Sequence, residues 1–365
     1  MSDNRNFIMA IILSLLVLLG WNFISESYFP TANPPSTKVV DGKQVALPKP
    51  QADPGADSPR AIRDLRAVVG ETPRVRIETP LLSGSINLRG ARIDDLTLVK
   101  HREGLAKNSP AIRLLSPGGT REAYFANFGW TGEGVALPGQ GTVWTASGNR
   151  LAPNSPVTLS WNNGQGQIFQ IRLAVDDGYM FTAEQTVANS GAGAIAVRPF
   201  ALVSRANPSP DPDSWTMHVG PVGVFNGIAN YSWSFDDLKE SGDQRFSSTG
   251  GWLGFTDKYW LAAVIPDQKA SVQAGFLSGP TGFQAVATPA SSIVPPGKAV
   301  SSRSRIFAGA KEIALLDRYE DQGITQFDKA IDWGWFEWFM IPIFALLNWL
   351  FLTTAISGSR SSRSP

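Results

Sequence analysis

The stretch that most constrains this chain is its start. Residues Phe7 to Ile24 read FIMAIILSLLVLLGWNFI, 18 positions with no charge and with only Ser14 and Asn22 polar. As a helix rising 1.5 Å per residue, such a run covers about 27 Å, close to the hydrocarbon thickness of a bilayer. Trp21 and Phe23 stand where the exiting end meets headgroups, as interfacial aromatics do. The competing reading is a cleaved secretory signal, with Ser25-Glu26-Ser27 as small residues near a cleavage point. The run exceeds the roughly 7–15 residues of a signal core, and Asp3 offsets Arg5 ahead of it. An uncleaved transmembrane anchor is therefore expected over residues 7–24. The short tail 1–6 favours a cytoplasmic N-terminus, although Lys38 and Lys43 on the far side blunt the charge asymmetry.

The anchor gives way to a spacer. Tyr28 to Pro59 holds seven prolines in 32 residues, mixed with Ala, Asp, Ser and Lys. Such a segment cannot pack a core, and at about 3.1 Å per residue it reaches up to ~100 Å. Residues 25–72 are expected to tether a domain to the membrane.

Composition narrows the chemistry of that domain. The 32 Lys+Arg and 31 Asp+Glu residues nearly cancel, so no global field draws the chain to nucleic acid. Without cysteine there is no disulfide framework, thiolate zinc site or Cys nucleophile. With only His101 and His218, poly-histidine metal sites are excluded and Ser-His-Asp chemistry lacks material. The 35 Gly and 26 Pro point to a turn-rich, β-rich body.

From about Pro73 the pattern is that of strands. Phe169, Ile171, Leu173 and Val175 alternate with Gln170, Arg172 and Ala174. Asp177-Gly178 comes next, then Tyr179, Phe181, Ala183 and Val187, which predicts a β-hairpin closed by a two-residue turn. Shorter strands recur at Ile86/Leu88 and Val272/Ala274/Phe276, and a helix is expected near Lys311–Gln322 with Ile313 and Leu316 on one face. No P-loop and no dinucleotide-binding glycine motif interrupts them. The expected fold is mainly β, a large antiparallel sandwich over residues 73–322.

Candidate ligands within it are few. Asp211 and Asp213, or Asp236 and Asp237, could hold Ca²⁺, but Asp beside Pro and Ser is also what turns use. His218 could serve as an acid–base group or as a hydrogen-bonded structural residue. Exposed tryptophans could stack on sugars, whereas buried ones fill a core. No carboxylate pair marks a glycosidase site, so no catalytic residue, metal site or cofactor is expected.

The C-terminal stretch is more telling. Phe327, Ala330, Ile331, Gly334, Trp335, Trp338 and Phe339 recur at helical spacing, with Asp328, Lys329, Asp332 and Glu337 between them. A helix this aromatic suits a membrane interface; docking on the sandwich is the alternative. Ile341 to Ile356 continues as a mostly apolar run broken by Pro342 and Asn348, short for a span at roughly 24 Å. It could lie on the membrane or cross it. Trp21, Phe327, Ile331, Trp335, Trp338, Phe339 and Trp349 are the candidate membrane-interface residues. The remaining residues 353–365 form a Ser/Arg-rich tail.

Several stretches resemble the YidC family of bacterial membrane protein insertases. Gly250-Gly251-Trp252-Leu253-Gly254-Phe255-Thr256-Asp257-Lys258-Tyr259-Trp260, with Ile265-Pro266-Asp267-Gln268 after it, is similar to that family's periplasmic signature. Phe307-Ala308-Gly309-Ala310-Lys311-Glu312 with Leu316-Asp317-Arg318-Tyr319 resembles its last strand and helix. Phe327-Asp328 and Ile331-Asp332-Trp333-Gly334-Trp335-Phe336 resemble the start of its amphipathic helix, and Asn4-Arg5-Asn6-Phe7 its N-terminus.

The resemblance implies a β-supersandwich like that of galactose mutarotases, held in the periplasm by an anchor in the inner membrane. It implies an amphipathic helix over 323–352 lying on the periplasmic leaflet. It implies work on nascent integral membrane proteins, alone or beside the Sec translocon, with the lipid bilayer as partner and without nucleotide or covalent intermediate. After about Leu352 the chain leaves the family pattern, so the helices that enclose the family's hydrophilic groove, and its arginine, have no counterpart here. The chain as written is therefore not expected to insert clients by that groove alone. Two other readings are a tethered docking module and a carbohydrate-binding sandwich.

Overall fold

The computed structural model describes residues 62–332, apart from 107 and 212–216, together with Pro342, Ile343, Leu346 and Leu350. The expected anchor with Trp21, the Pro-rich segment before residue 62 and the tail 353–365 lie outside the described residues.

Two large sheets face each other. The 11-stranded sheet runs Gln244–Thr249, Ser271–Gly279, Gly282–Pro289, Ile195–Arg205, Tyr124–Gly132, Arg92–Arg102, Leu82–Asn87, Arg74–Glu78 and Arg150–Leu151, with two short strands paired off this path. The nine-stranded sheet runs Ile228–Asn230, Gly220–Phe225, Trp252–Thr256, Trp260–Pro266, Lys298–Ala310, Met180–Asn189, Gln167–Val175, Val157–Asn162 and Thr145–Ala146. Pairing is antiparallel except where Arg74–Glu78 meets Arg150–Leu151. The sandwich is thus mainly β and antiparallel, as the period-two pattern requires.

The alternation translates directly into burial. Along Gln167–Val175 the odd residues Phe169, Ile171 and Leu173 are fully buried and Arg172 is exposed. Phe181, Phe255, Phe276 and Phe307 fill the space between the sheets from distant parts of the chain. Burying each such ring contributes about 1.5–3 kcal/mol.

The hairpin after Val175 departs from expectation. Its strands pair Val175 with Phe181, and Asp176–Tyr179 form a four-residue connection rather than a two-residue turn. The Asp176 carboxylate organises it, accepting from the backbone N–H of Gly178 (2.9 Å) and Met180 (3.0 Å) and from the Tyr319 hydroxyl (2.7 Å). Gly178 keeps ordinary backbone angles, but a Cβ there would sit 2.2 Å from the Tyr319 hydroxyl oxygen. Glycine is needed for close approach, not for a left-handed turn.

Within residues 62–332, short helices sit around the sandwich: α1 (Leu65–Gly70), α2 (Phe235–Ser241) and α3 (Ile313–Asp321). The helix expected near Lys311–Gln322 is α3, which buries Leu316 and Tyr319. No described helix is long and apolar enough to cross a membrane.

Candidate functional site

The site of interest is the seam where the chain leaves the sandwich after α3. The helical spacing of Phe327, Ala330 and Ile331 suggests one continuous interfacial helix. The structure corrects this. Phe327–Ala330 is a single 3-10 turn, entered through a left-handed Gln326 (φ 49°) and ended by an extended Ile331. Phe327 is fully buried, its ring 5.4 Å from that of Trp252, 5.3 Å from Phe307 and 6.1 Å from Tyr319, edge to face. Ile331 is half-buried against the same core. Phe327 is therefore a core residue closed off from lipid, and Ile331 is largely committed to the sandwich. Their apolar spacing serves docking, the alternative to a membrane interface.

Hydrogen bonds stitch the same segment down. The Trp252 indole N–H donates to the carbonyl of Gln326 (3.3 Å), and Gln268 Oε1 accepts from Thr325 N–H (3.1 Å). The amide of Gln268 also donates to the Gly251 and Pro266 carbonyls, both at 2.9 Å. The Tyr231 hydroxyl donates to the Lys329 carbonyl (2.6 Å), and His218 N–H to Asp332 Oδ2 (3.1 Å). Every one of these groups lies far from residues 325–332 in sequence. Trp252, Gln268, Phe307 and Tyr319 all come from the stretches that carry the family resemblance, so those stretches converge on one seam. Gly254, two residues after Trp252, answers to the neighbouring strand instead: a Cβ there would clash with the Ala262 carbonyl oxygen, so the two strands pair closely around glycine.

Beside the seam lies a polar cluster. Arg205 Nη1 donates to Asp257 Oδ1 at 2.7 Å, and both side chains are nearly enclosed. Lys311 Nζ donates to the Thr256 hydroxyl at 2.9 Å. Burial pulls Lys311 down to about 8, against the upward pull of Asp257, Asp332 and Asp211. The unfolded lysine keeps its proton up to about 10.4. Between about 8 and 10.4 the unfolded chain binds more protons, so the Lys311 contribution makes stability rise with pH across that window and leaves it flat below. Lys311→Met is expected to abolish the rise and to stabilise the fold at pH 7 by about 2 kcal/mol, since a packed apolar chain replaces a desolvated ammonium. Urea titrations of both proteins at pH 7 and pH 9.5 measure it.

The other sequence candidates have structural duties. Asp237 closes a capping box with Ser234 at the start of α2, and Asp236 pairs with Lys239 at 2.8 Å. Asp211 Oδ2 accepts from Lys258 N–H (2.9 Å), and Asp213 lies outside the described residues. Among the described residues no group of His, Asp and Glu is placed to hold a metal ion. His218 is buried with Nε2 2.8 Å from the Pro221 carbonyl oxygen. His101 lies 3.3 Å from the Tyr179 hydroxyl, which donates to Glu312 at 2.8 Å. Burial, reinforced by Glu312, pushes Tyr179 up, so it holds its proton and ties α3 to the hairpin connection. Of the tryptophans, Trp130, Trp144 and Trp252 fill the core.

Beyond the seam, Pro342, Ile343, Leu346 and Leu350 are helical and exposed. Ile343, Leu346 and Leu350 stand at i, i+3 and i+7, so they share one face, 37%, 55% and 42% exposed. These three are not among the sequence candidates, although their spacing is legible inside the apolar run. Trp335, Trp338, Phe339 and Trp349 lie outside the described residues.

Sandwich, seam and outward apolar face define a large antiparallel β-domain whose C-terminal edge passes into an apolar helical segment. The family model described as the YidC periplasmic domain matches residues 74–346. Membrane protein insertase YidC of Zymomonas mobilis is 45% identical over 355 residues, covering 96% of this chain and 60% of that protein. The protein of the same name from Methylobacterium nodulans is 39% identical over 373 residues, covering 96% and 62%. The chain belongs to the YidC family, and it spans about 60% of the length of the curated relatives it matches. Among solved structures, a galactose mutarotase-like protein from Lactobacillus casei is similar, with 12% identity, a TM-score of 0.43, and coverage of 65% of this chain and 100% of that one.

Proposed function

We propose that this chain serves membrane protein insertion at the bacterial inner membrane, as the anchored periplasmic part of a YidC insertase. The observation that carries the reading is the succession of locked seam and outward apolar face. Residues 324–332 are fixed to the sandwich, and Ile343, Leu346 and Leu350 then present an apolar stripe. Such a stripe lies naturally at a bilayer surface, where its burial is worth about 25 cal/mol per Å². Membership in the family and the names of its relatives support the same reading.

On this proposal residues 7–24 anchor the chain with the N-terminus in the cytoplasm, and the linker that starts at residue 25 spans the gap. The structure shortens the expected 25–72 linker at its far end, where Arg63 N–H donates to the Gly119 carbonyl (3.0 Å) and α1 buries Val68 against the domain. Trp335, Trp338, Phe339 and Trp349, with Trp21 at the anchor, hold the bilayer interface. Clients are nascent integral membrane proteins, received alone or beside the Sec translocon. The domain does positioning work and asks no covalent chemistry of its residues.

Flotation tests the membrane assignment. A variant lacking residues 1–24 is expected to float with phospholipid vesicles, and Trp335→Glu with Trp338→Glu is expected to release it. Equal flotation of both proteins contradicts the interfacial assignment. The same pair of substitutions in the chromosomal gene is expected to slow insertion of a single-span client, read by protease protection in spheroplasts; unchanged insertion overturns the functional reading.

A further inference from the structure

Away from the seam, the strand Tyr124–Gly132 is paired along all of one flank and only part of the other. Ile195–Arg205 runs beside it from Tyr124 to Gly132, whereas Arg92–Arg102 meets the opposite flank at Ala126 and Asn127 alone. Beyond that point the neighbouring chain turns away. Gly90 and Ala91 hold positive φ, 80° and 53°. The backbone there pairs elsewhere: Gly90 N–H donates to the Thr142 carbonyl (2.8 Å), and Leu88 accepts from Trp144 N–H (2.9 Å).

The alternation of an antiparallel ladder fixes which backbone groups are left over. The Ala206 N–H donates to the Ala123 carbonyl at 2.8 Å, and Pro199, which has no N–H, stands opposite Trp130. The paired flank therefore takes the N–H and C=O groups of Phe125, Asn127, Gly129 and Thr131. Phe128, Trp130 and Gly132 present theirs to the open flank. The Phe128 N–H donates to the carboxamide oxygen of Asn127 at 2.8 Å. Among the described residues, nothing accepts from the Trp130 N–H or donates to its carbonyl. Buried backbone groups are almost always paired, and Trp130 is a buried residue.

A cavity of about 370 Å³ lies against this stretch, walled by Phe128–Gly132 itself and by Val135, Leu137, Pro138, Trp144 and Phe200. No Asp, Glu, Lys or Arg lines it. What fits an open strand flank is another strand, because an extended peptide offers an N–H and a C=O on one side at every second residue. Walls without charge select a segment without charge, since a charged side chain would be desolvated there unpaired.

We propose that the open flank of Phe128–Gly132 is a docking edge to which an uncharged, extended segment of a client chain adds as a strand. That the segment comes from a client rests on the insertase reading; the open edge does not. The chain's own residues 28–59 match it poorly, since their seven prolines lack the N–H that strand pairing uses. The test uses the full chain in phosphatidylcholine nanodiscs and a fluorescein-labelled heptapeptide of alternating valine and threonine. Its anisotropy is expected to rise saturably, above the level with empty nanodiscs. The same peptide N-methylated at every residue keeps its side chains but has no backbone donors, and is expected to bind about tenfold more weakly or worse. Hydrogen exchange read by mass spectrometry locates the site: the peptide is expected to slow exchange over residues 128–132, at Trp130 above all. No binding, equal binding of the two peptides, or binding without slowed exchange over 128–132 overturns the proposal. So does slow exchange at Trp130 before any peptide is added, which would assign the edge to a segment of this chain. Binding is read without insertion, so its failure is distinct from a failure of the insertase reading.

Discussion

Phe327→Ala is expected to lower the unfolding free energy by about 3–5 kcal/mol, the cost of emptying a fully enclosed aromatic site. The ring has Trp252, Phe307 and Tyr319 around it and no exposed surface. These neighbours belong to strands and a helix whose own hydrogen bonds hold them in place, so the site cannot collapse cheaply. The backbone on either side is pinned as well, through Gln326 to Trp252 and Lys329 to Tyr231. Urea titration followed by tryptophan fluorescence reads the loss. Were Phe327 a lipid contact, the same substitution would leave the denaturant midpoint in place and weaken only membrane binding.

Asp257→Ala is expected to be comparably severe, at about 3–5 kcal/mol, because it strands a buried guanidinium. Arg205 keeps its Nε donation to the Asn207 carbonyl at 2.8 Å and its positions over Tyr124 and Phe235, at 5.0 and 5.6 Å. Those contacts hold the group in place without neutralising it. Removing both charges together, as Arg205→Met with Asp257→Leu, is expected to recover most of the loss, since neither desolvated charge then remains. A double-mutant cycle in thermal unfolding separates the pair from the packing around it. A cost below about 1 kcal/mol for Asp257→Ala would place the pair in the class of solvent-screened surface bridges.

How far these features can be read from sequence depends on the distance over which their causes act. The strand around Phe169 and the helix holding Leu316 and Tyr319 arise from residues within one element, where period and burial are the same fact. The docking of Phe327 does not. Spacing at i, i+3 and i+4 records that one side of a segment meets apolar matter, and both lipid and the interior of a sandwich satisfy it. The deciding partners, Trp252 and Phe307, lie 75 and 20 residues away in sequence and reach Phe327 only through the sheet. Gly178 misleads for a similar reason, since Asp-Gly signals a tight turn locally while the Tyr319 hydroxyl sets the real connection. The stretches around Trp252 and Gln268 can be recognised as a family signature, yet their duty at the seam emerges only once the topology brings them together.

The proposed division at the seam, with Ile331 packed on the domain and Leu346 facing lipid, is most directly tested by spin labelling in proteoliposomes. The chain has no cysteine, so Ile331→Cys and Leu346→Cys each take a single nitroxide on an otherwise unaltered background. Power saturation then compares accessibility to oxygen, which concentrates in lipid, with accessibility to a water-soluble nickel chelate. A label at 346 is expected to favour oxygen strongly, and one at 331 to be shielded from both. A label at 346 that responds to the chelate alone, or a label at 331 that matches it in oxygen, would contradict the division.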